Sequence, residues 1–194
     1  MKNTGELLQD EAELVAKARQ ADEAAWTAIV RSYQEPVFRM AYLILGDRHE
    51  AEDAAQETLI RAYRSLHRFD LQRPLKPWLL SIAANTAKNR RRAGWRYLKA
   101  VRRLFRLEEG IAADPSQDSN TAIDSLNLWQ AVQSLSQNDQ RIIYLRYFME
   151  LSVAETASAL DISPGTVKSR LHRALARLKD SITVDFPELM DDKL

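Results

Sequence analysis

Apolar residues recur every three or four positions through most of this chain, which is the spacing of one face of an α-helix. This periodicity runs from residue 9 to 92 without a convincing alternating strand pattern, and it resumes from 125 to 182. Residues 110–124 are rich in Asp, Ser, Asn and Ala and include a proline, a composition typical of a linker. The pattern therefore predicts an all-α fold with two small helical domains joined by a flexible linker.

Two helical patterns near the C-terminus are separated by a turn of only two residues, 161 and 162. Ser152 and Glu155 form a capping-box pattern that begins the first helix. Ser163 and Pro164 are typical of the N-cap and first position of the second helix. A short turn followed by a basic amphipathic helix indicates a helix-turn-helix, whose second helix enters the major groove of DNA.

The second helix of this motif has an apolar face and a polar face. Its apolar positions are Val167, Leu171, Ala174, Leu175 and Leu178. Four polar side chains near its N-terminus are placed to reach base edges, and these are Thr166, Lys168, Ser169 and Arg170. Arg173 and Arg177 lie further along, where phosphate contact is favoured. The alternative is a surface helix whose arginines face water.

Residues 126–148 are expected to supply the other core helices of this domain. Apolar residues at helical spacing are Leu126, Trp129, Val132 and Leu135, followed by Ile142, Leu145, Tyr147 and Phe148. No catalytic role is expected for them.

One helix of the N-terminal half carries an acidic side with an apolar residue in it, formed by Asp53, Gln56, Glu57 and Ile60. An exposed isoleucine among acids is typical of a protein-binding patch, because the apolar centre contributes burial and the charged rim gives orientation. The alternative is a set of solvated acids near a helix N-terminus, which the helix dipole favours.

A second helix, which Pro77 is expected to open, carries amides and cations on a shared side, namely Asn85, Lys88, Asn89 and Arg92. Asparagine can read a base edge by paired hydrogen bonds, while Lys and Arg hold phosphates. This side is therefore a candidate nucleic-acid surface.

The distribution of charge says more than the net charge of +1 over 194 residues. Residues 86–107 contain nine basic residues and no acid, and residues 108–140 contain six acids and no base. Residues 141–179 then contain seven bases and three acids. Two basic blocks separated by an acidic spacer predict two surfaces that meet a polyanion.

Several classes of function are disfavoured. The chain has no cysteine, so disulfides and thiol chemistry are excluded, and its three histidines are not in a metal-ligand spacing. There is no phosphate-binding Gly-rich loop and no nucleophile motif. The acidic N-terminus does not resemble a signal peptide, and no apolar run approaches the roughly 18 residues of a membrane span. We expect a cytoplasmic protein that is not an enzyme, with no cofactor, metal, small-molecule substrate or membrane insertion.

Two long motifs, in this order, resemble the extracytoplasmic-function (ECF) sigma factors of the sigma-70 family. "GDRHEAEDAAQETLIRAYRSLHRFD" followed by "PWLLSIAANTAKNRRR" resembles region 2, and "LSQNDQRIIYLRYFMELSVAETASALDISPGTVKSRLHRALARLK" resembles region 4. The family usually has Gly where Ala21 and Asp161 stand, Ile where Thr156 stands, and Leu-Pro where Leu135-Ser136 stands. Asp adopts a left-handed turn less readily than Gly, so slight strain is expected at Asp161.

The resemblance implies a transcription initiation factor that binds core RNA polymerase and promoter DNA and is held inactive by an anti-sigma factor. Region 2 would span residues 1–93, a basic helix and acidic linker 94–124, region 4 residues 125–182, and an acidic tail 183–194. The core-polymerase contacts would be Asp53, Gln56, Glu57 and Ile60. The −10 element, as a single strand, would contact Phe69, Asn85, Lys88, Asn89 and Arg92. The −35 element would contact Thr166, Lys168, Ser169, Arg170, Arg173 and Arg177.

Two alternatives stay open at this point. The C-terminal domain could act as a stand-alone helix-turn-helix regulator, which would need no polymerase and would bind a palindrome as a dimer. The basic amphipathic stretch 95–107 could lie on a membrane surface, although packing on region 2 or guiding the linker toward DNA is the simpler role.

Overall fold

A computed structural model describes the backbone of residues 4–105 and 120–187 and the side chains of residues 9–93 and 127–187. These residues form eight α-helices, in agreement with the predicted all-α fold. The helices are α1 (Thr4–Arg19), α2 (Glu23–Leu45), α3 (Arg48–Ser65), α4 (Leu75–Phe105), α5 (Asn120–Ser134), α6 (Gln137–Ile143), α7 (Val153–Leu160) and α8 (Pro164–Asp185). Within the described ranges, none of these helices is long and apolar enough to cross a bilayer.

Helices α1 to α4 form the N-terminal bundle. Asp22 caps α2 by accepting from the backbone N–H of Ala25 at 3.0 Å, and Asp47 caps α3 by accepting from that of Glu50 at 2.8 Å. The buried sides of α2, α3 and α4 contain many alanines, which let the helix axes approach closely. The largest fully buried side chains of the N-terminal bundle include Ile29, Met40, Leu75, Leu79 and Leu80.

Helices α5 to α8 form the C-terminal bundle, in which α7 and α8 are the predicted helix-turn-helix. The capping box of Ser152 and Glu155 is confirmed, with both reciprocal hydrogen bonds present. Ser163 caps α8, which begins at Pro164. Val167 and Ala174 are completely buried, so the predicted apolar face of α8 is its packing face.

Both positions where the related family usually has glycine adopt left-handed backbone. Ala21 has φ 62°, and Asp161 has φ 54° and ψ 50° at the turn of the helix-turn-helix. A side chain in this region clashes with the following carbonyl, which costs about 1–2 kcal/mol for an ordinary residue and less for Asp. The expected strain is therefore present at the predicted turn and again between α1 and α2.

Two expected core residues, Tyr147 and Phe148, lie instead at the surface, 57 % and 37 % exposed. The chain from Tyr144 to Phe148 is a π-helical turn, closed by a 2.9 Å hydrogen bond from the N–H of Met149 to the carbonyl of Tyr144. The wider turn breaks the 3.6-residue spacing on which the expectation rested. As a result, Tyr144 occupies the core in their place, next to Leu145, which is buried as expected.

Several helix ends differ from those expected from the pattern. Helix α4 begins at Leu75, two residues before Pro77, and continues to Phe105 across the expected boundary at residue 93. Helix α5 begins at Asn120, so residues 120–124 are helical instead of linker. Residues 106–119, the centre of the expected linker, and 188–194 of the tail lie outside the described residues.

The two bundles contact each other. Helix α4 packs on α7, the Lys76 ammonium donates to the carbonyl of Met149 at 3.0 Å, and the Gln133 amide donates to that of Leu43 at 3.3 Å. A cavity of about 510 Å³ lies between the loop that precedes α4, at Gln72 and Arg73, and the helix-turn-helix. The two expected DNA-contacting segments thus lie next to each other in this arrangement.

Candidate nucleic-acid and protein interfaces

The α3 face, defined by Asp53, Gln56, Glu57 and Ile60, lies on the outer side of its helix. Asp53, Gln56 and Ile60 are exposed, and Ile60 is 52 % exposed despite being apolar. Glu57 is partly buried. The opposite side of α3 is buried against α2 and α4 through Ala51, Ala54, Ala55, Thr58 and Ala62. Because the opposite side of α3 is buried, the helix presents to solvent an acidic surface with an apolar centre.

Arg90 of α4 organises this acidic surface. Its guanidinium lies 3.0 Å from a Glu50 carboxylate oxygen, 2.9 Å from one of Asp53 and 3.6 Å from one of Glu57. Burial alone lowers the pKa of Arg90, but the hydrogen bonds and charges of Glu50 and Asp53 outweigh it, so the pKa is raised. One cation shared among three carboxylates leaves the surface acidic while holding its side chains in place.

Arg90 was counted from the sequence only as part of a basic block. Position 90 is about 100° around the helix from Asn89, so it faces α3 while its neighbours face elsewhere. This angular offset indicates that Arg90 faces a different direction from Asn89. The sequence does not show which helix lies on the Arg90 side of α4.

The polar side of α4 is largely open. Asn85, Asn89 and Arg92 are exposed, whereas Lys88 is partly buried and lines a small cavity with Arg141 and Tyr144 of the other bundle. The four residues expected to meet the −10 strand therefore share one helix side, and Lys88 also faces the C-terminal bundle.

Phe69, also expected at the −10 surface, is only 6 % exposed and packs its ring on Trp78, with the ring centroids 5.0 Å apart. The ring is therefore not exposed to a DNA strand in this structure, which does not fit the expected direct contact with the −10 element. Its burial is favourable, because an apolar ring packed on a tryptophan is more stable inside the bundle than in water. The exposed residues of this loop are Asp70, Gln72 and Arg73. The resemblance to the ECF sigma factors implies that the whole loop from Phe69 to Lys76 meets the −10 element, and for these three residues that contact stays a prediction.

The N-terminal half of α8 carries the expected base-reading side chains. Lys168, Ser169 and Arg170 are exposed. Thr166 is partly buried, and its hydroxyl lies 2.8 Å from that of the N-cap residue Ser163. Arg173, one turn after Ser169, is exposed and donates to the carbonyl of that serine at 3.2 Å.

Arg177 has a partner inside the protein. Its guanidinium donates to both carboxylate oxygens of Asp139, at 3.0 Å and 2.9 Å, and the Asp139 side chain is only 11 % exposed. The hydroxyl of Ser136, the N-cap of α6, also donates to Asp139 at 2.8 Å. This guanidinium therefore fastens α8 to the start of α6 and is not a free cation, while its side chain stays 54 % exposed. The phosphate contact expected of Arg177 stays a prediction.

The geometry defines a class of protein. A helix-turn-helix with an exposed basic recognition helix stands beside a second bundle whose α4 exposes amides and cations. Two candidate nucleic-acid surfaces and one candidate protein surface, acidic with an exposed isoleucine, occur in one all-α chain. This combination agrees with the two-region transcription initiation factor that the resemblance implies.

Comparison with known proteins agrees with this class. The family model of sigma-70 region 2 matches residues 29–97, and that of sigma-70 region 4 matches residues 125–178. The ECF RNA polymerase sigma factor SigW of Bacillus subtilis is 32 % identical over 176 residues, which cover 87 % of this chain and 94 % of SigW. SigL of Mycobacterium tuberculosis is 33 % identical over 167 residues, covering 85 % and 93 %. The chain belongs to the ECF RNA polymerase sigma factors.

Solved structures share the fold. CnrH, solved with the cytosolic domain of CnrY, has a TM-score of 0.67 at 20 % identity and covers 90 % of this chain and 98 % of its own. The sigma factor RpoE of Bartonella quintana, solved with the anti-sigma factor NepR, has a TM-score of 0.62 at 25 % identity, covering 82 % and 97 %.

Proposed function

We propose that this sigma factor acts in initiation through three separate surfaces. The α3 face binds core RNA polymerase, the exposed polar side of α4 holds the −10 element as a single strand, and the N-terminal half of α8 reads the −35 element in the major groove. No bond is made or broken by the protein itself in this scheme. Opening the duplex is favoured because unpaired bases gain contacts that paired bases lack.

The observation that carries this proposal is that two sides of α4 have different contacts. Arg90 is turned toward the carboxylates of α3, while Asn85 and Asn89 are exposed on another side of the same helix. One rigid helix therefore links a protein-binding surface to a strand-binding surface. A factor that couples polymerase to promoter opening needs such a link.

Within the −35 surface we assign base contacts to Lys168, Ser169 and Arg170 and phosphate contact to Arg173. Thr166 stays in the set, because its position in the first turn of α8 is closest to the groove floor when the N-terminus of a recognition helix enters DNA. Arg177 is assigned to holding α8 on α6, since its Nη1 donates both of the hydrogen bonds that reach the nearly buried Asp139 carboxylate.

An anti-sigma factor is proposed as a further partner. The Bartonella RpoE structure, which this chain resembles at 25 % identity, contains the anti-sigma factor NepR. The stand-alone regulator is not favoured, because it gives no role to a region 2 segment spanning residues 29–97.

A transcription assay tests the proposal. Core polymerase purified from the same cells is combined with the protein on promoters of the same genome, and open complexes are followed by permanganate reactivity of unpaired thymines. We expect initiation only with both components present. The double variant Asn85→Ala/Asn89→Ala should bind core polymerase like the parent and lose most of the permanganate signal.

The matched control is Asn138→Ala, which removes the same amide from an exposed position of α6. A pre-melted −10 bubble should restore the double variant only in part, because the base contacts stay missing. Initiation that does not depend on the protein, or equal permanganate signals from the double variant and the parent, would contradict the assignment.

A further inference from the structure

The loop that leads into α4 is held at both ends by α1, a helix that lies before the segment matched by the region 2 family model. This loop runs from Phe69 to Pro74, and its residues Gln72, Arg73 and Pro74 line the cavity of about 510 Å³ that it shares with the helix-turn-helix. The following inference rests on the proposed function, because it assigns a role to the residues that shape the −10 surface.

Glu11 holds the C-terminal end of the loop. One of its carboxylate oxygens accepts from the backbone N–H of Leu75, the first residue of α4, at 2.9 Å. Pro74, the residue before it, has no side-chain oxygen, so this position of the loop cannot supply a side-chain N-cap for α4. A carboxylate from α1 takes that place, and its negative charge also suits the positive end of the helix dipole.

Tyr33 of α2 fixes this carboxylate. Its hydroxyl donates to the other oxygen of Glu11. Burial of the phenol raises the pKa of Tyr33, with a further contribution from Glu11, so the hydroxyl stays protonated and keeps donating. Both oxygens of Glu11 are therefore engaged, one by the α4 backbone and one by the core of the bundle.

Arg19 holds the N-terminal end of the loop. Its Nε donates to the carbonyl of Leu66 at 3.0 Å, and a terminal nitrogen of the same guanidinium donates to the carbonyl of Phe69. These carbonyls flank the 3-10 turn Leu66–Arg68. Because the donors of a guanidinium lie in one plane at fixed angles, the two bonds together set the direction in which the chain leaves this turn.

Between these two anchors the loop is shaped by short contacts of its own. The carboxylate of Asp70 accepts from the N–H of Gln72 at 3.0 Å and lies 3.3 Å from Arg73. All three side chains are exposed. The tip is thus a preformed polar turn whose position depends on the two ends and not on contacts of the tip with the core.

We propose that Glu11 and Arg19 are positioning residues for −10 recognition, which hold both ends of the loop from Phe69 to Pro74 so that its exposed tip and the polar side of α4 receive the unpaired strand together. They touch no nucleic acid themselves. Their loss leaves the polymerase-binding and −35 surfaces intact and lowers the ability to distinguish one −10 sequence from another.

Helix α1 offers a matched control. Like Glu11 and Arg19, Glu13 and Lys17 are one acid and one base of α1, but they lie on its exposed side. The Lys17 ammonium lies 2.7 Å from a carboxylate oxygen of Glu13. The double variant Glu13→Ala/Lys17→Ala removes one acid and one base from α1, as does Glu11→Ala/Arg19→Ala. Alanine is used at residue 11 because the amide oxygen of a glutamine could still accept from the Leu75 N–H. Of the two double variants, only Glu11→Ala/Arg19→Ala releases the loop.

The test uses the full chain bound to core polymerase and a pool of pre-melted bubble templates with a randomised unpaired −10 segment. After selection, sequencing gives the enrichment of the parent's preferred segment over the pool. We expect this enrichment to fall about tenfold for Glu11→Ala/Arg19→Ala and to stay at the parent's value for the control. Arg19→Lys alone, which keeps the charge and one donor, should lie between Arg19→Ala and the parent.

Affinity for core polymerase and the melting temperature are measured on the same samples. Lost enrichment with unchanged core affinity supports the inference. Enrichment equal to the parent's overturns it, and so does an equal loss of core affinity and enrichment with a large drop in melting temperature, which indicates general destabilisation. Failure of the proposed function looks different, because then the parent itself enriches no segment or Asn85→Ala/Asn89→Ala enriches like the parent.

Discussion

Three arginines next to the candidate surfaces of the N-terminal bundle bind groups of the protein, whereas the arginines on the first half of α8 are turned toward solvent. Arg19 and Arg91 donate to backbone carbonyls, and Arg90 binds carboxylates of α3. On α8, Arg170 and Arg173 are exposed. The same residue type therefore shapes surfaces at some positions of a basic stretch and is exposed to a polyanion at others. A basic stretch of sequence is evidence for DNA contact only where its side chains are exposed.

The strongest way to break this comparison is to remove the α3 face. The triple variant Asp53→Asn/Glu57→Gln/Ile60→Ala loses the apolar centre and two of its charges, and we expect about a hundredfold weaker binding to core polymerase. Amides are preferred to charge reversal, because new cations would lie against Arg90. Binding is measured by titration of labelled protein with core polymerase.

A matched control removes two exposed acids elsewhere, Glu13→Gln/Glu52→Gln, and should bind within about twofold of the parent. Equal losses in both variants would mean that net charge, and not the α3 face, determines polymerase binding.

The next largest effect separates two arginines of α8. Arg170→Ala should cost about 2 kcal/mol of binding and relax sequence preference at one position of the −35 element. Arg173→Ala should weaken all sequences similarly and reduce the salt slope by about one. Holoenzyme affinity for duplexes with single substitutions, measured at several salt concentrations, checks both. Identical, sequence-independent losses would reject this division.

Arg177 sharpens the comparison, because it is the α8 arginine that behaves like those of the N-terminal bundle. Arg177→Ala removes two hydrogen bonds from the Asp139 carboxylate, which is only 11 % exposed and so cannot replace them fully with water. We therefore expect the free energy of unfolding to fall by about 1–2 kcal/mol. Chemical denaturation measures this loss. The salt slope of DNA binding should be unchanged, and a slope reduced by about one would restore Arg177 to the phosphate contacts.

The smallest expected effect concerns a buried hydroxyl in each bundle. Thr156 of α7 is completely buried and Thr86 of α4 nearly so, and neither Oγ1 has a hydrogen-bond partner among the described residues. Valine has the same shape without the polar atom, so Thr156→Val should raise the free energy of unfolding by about 1 kcal/mol. Thr86→Val should do the same. A decrease in either case would indicate a bound water that donates to the hydroxyl.

Local patterns predicted the helix-turn-helix well. The capping box at Ser152, the N-cap at Ser163 and the left-handed turn at Asp161 all depend on residues within four positions of each other. The faces of α3 and α8 followed equally from helical spacing. Such features are encoded in short stretches, so one sequence is sufficient to find them.

Features that depend on distant partners could not be predicted in the same way. Glu11 caps a helix that starts 64 residues later, and Arg177 pairs with an acid 38 residues earlier. A charged residue in a helical pattern looks the same whether its partner is water, DNA or another helix. Tyr147 and Phe148 were placed wrongly for a different reason, since a single wide turn changes the face of every residue in it.

The distance along the chain between Glu11 and Leu75 also has a consequence for synthesis in the cell. At about 5–20 residues per second, Leu75 leaves the ribosome about 3 to 13 s after Glu11. During that interval α1 lacks the backbone group that Glu11 anchors, and a helix of 16 residues is only marginally stable by itself. The N-terminal bundle is therefore completed in two stages of translation, first when Leu75 emerges and meets α1, and then when Arg90 emerges and pairs with the carboxylates of α3.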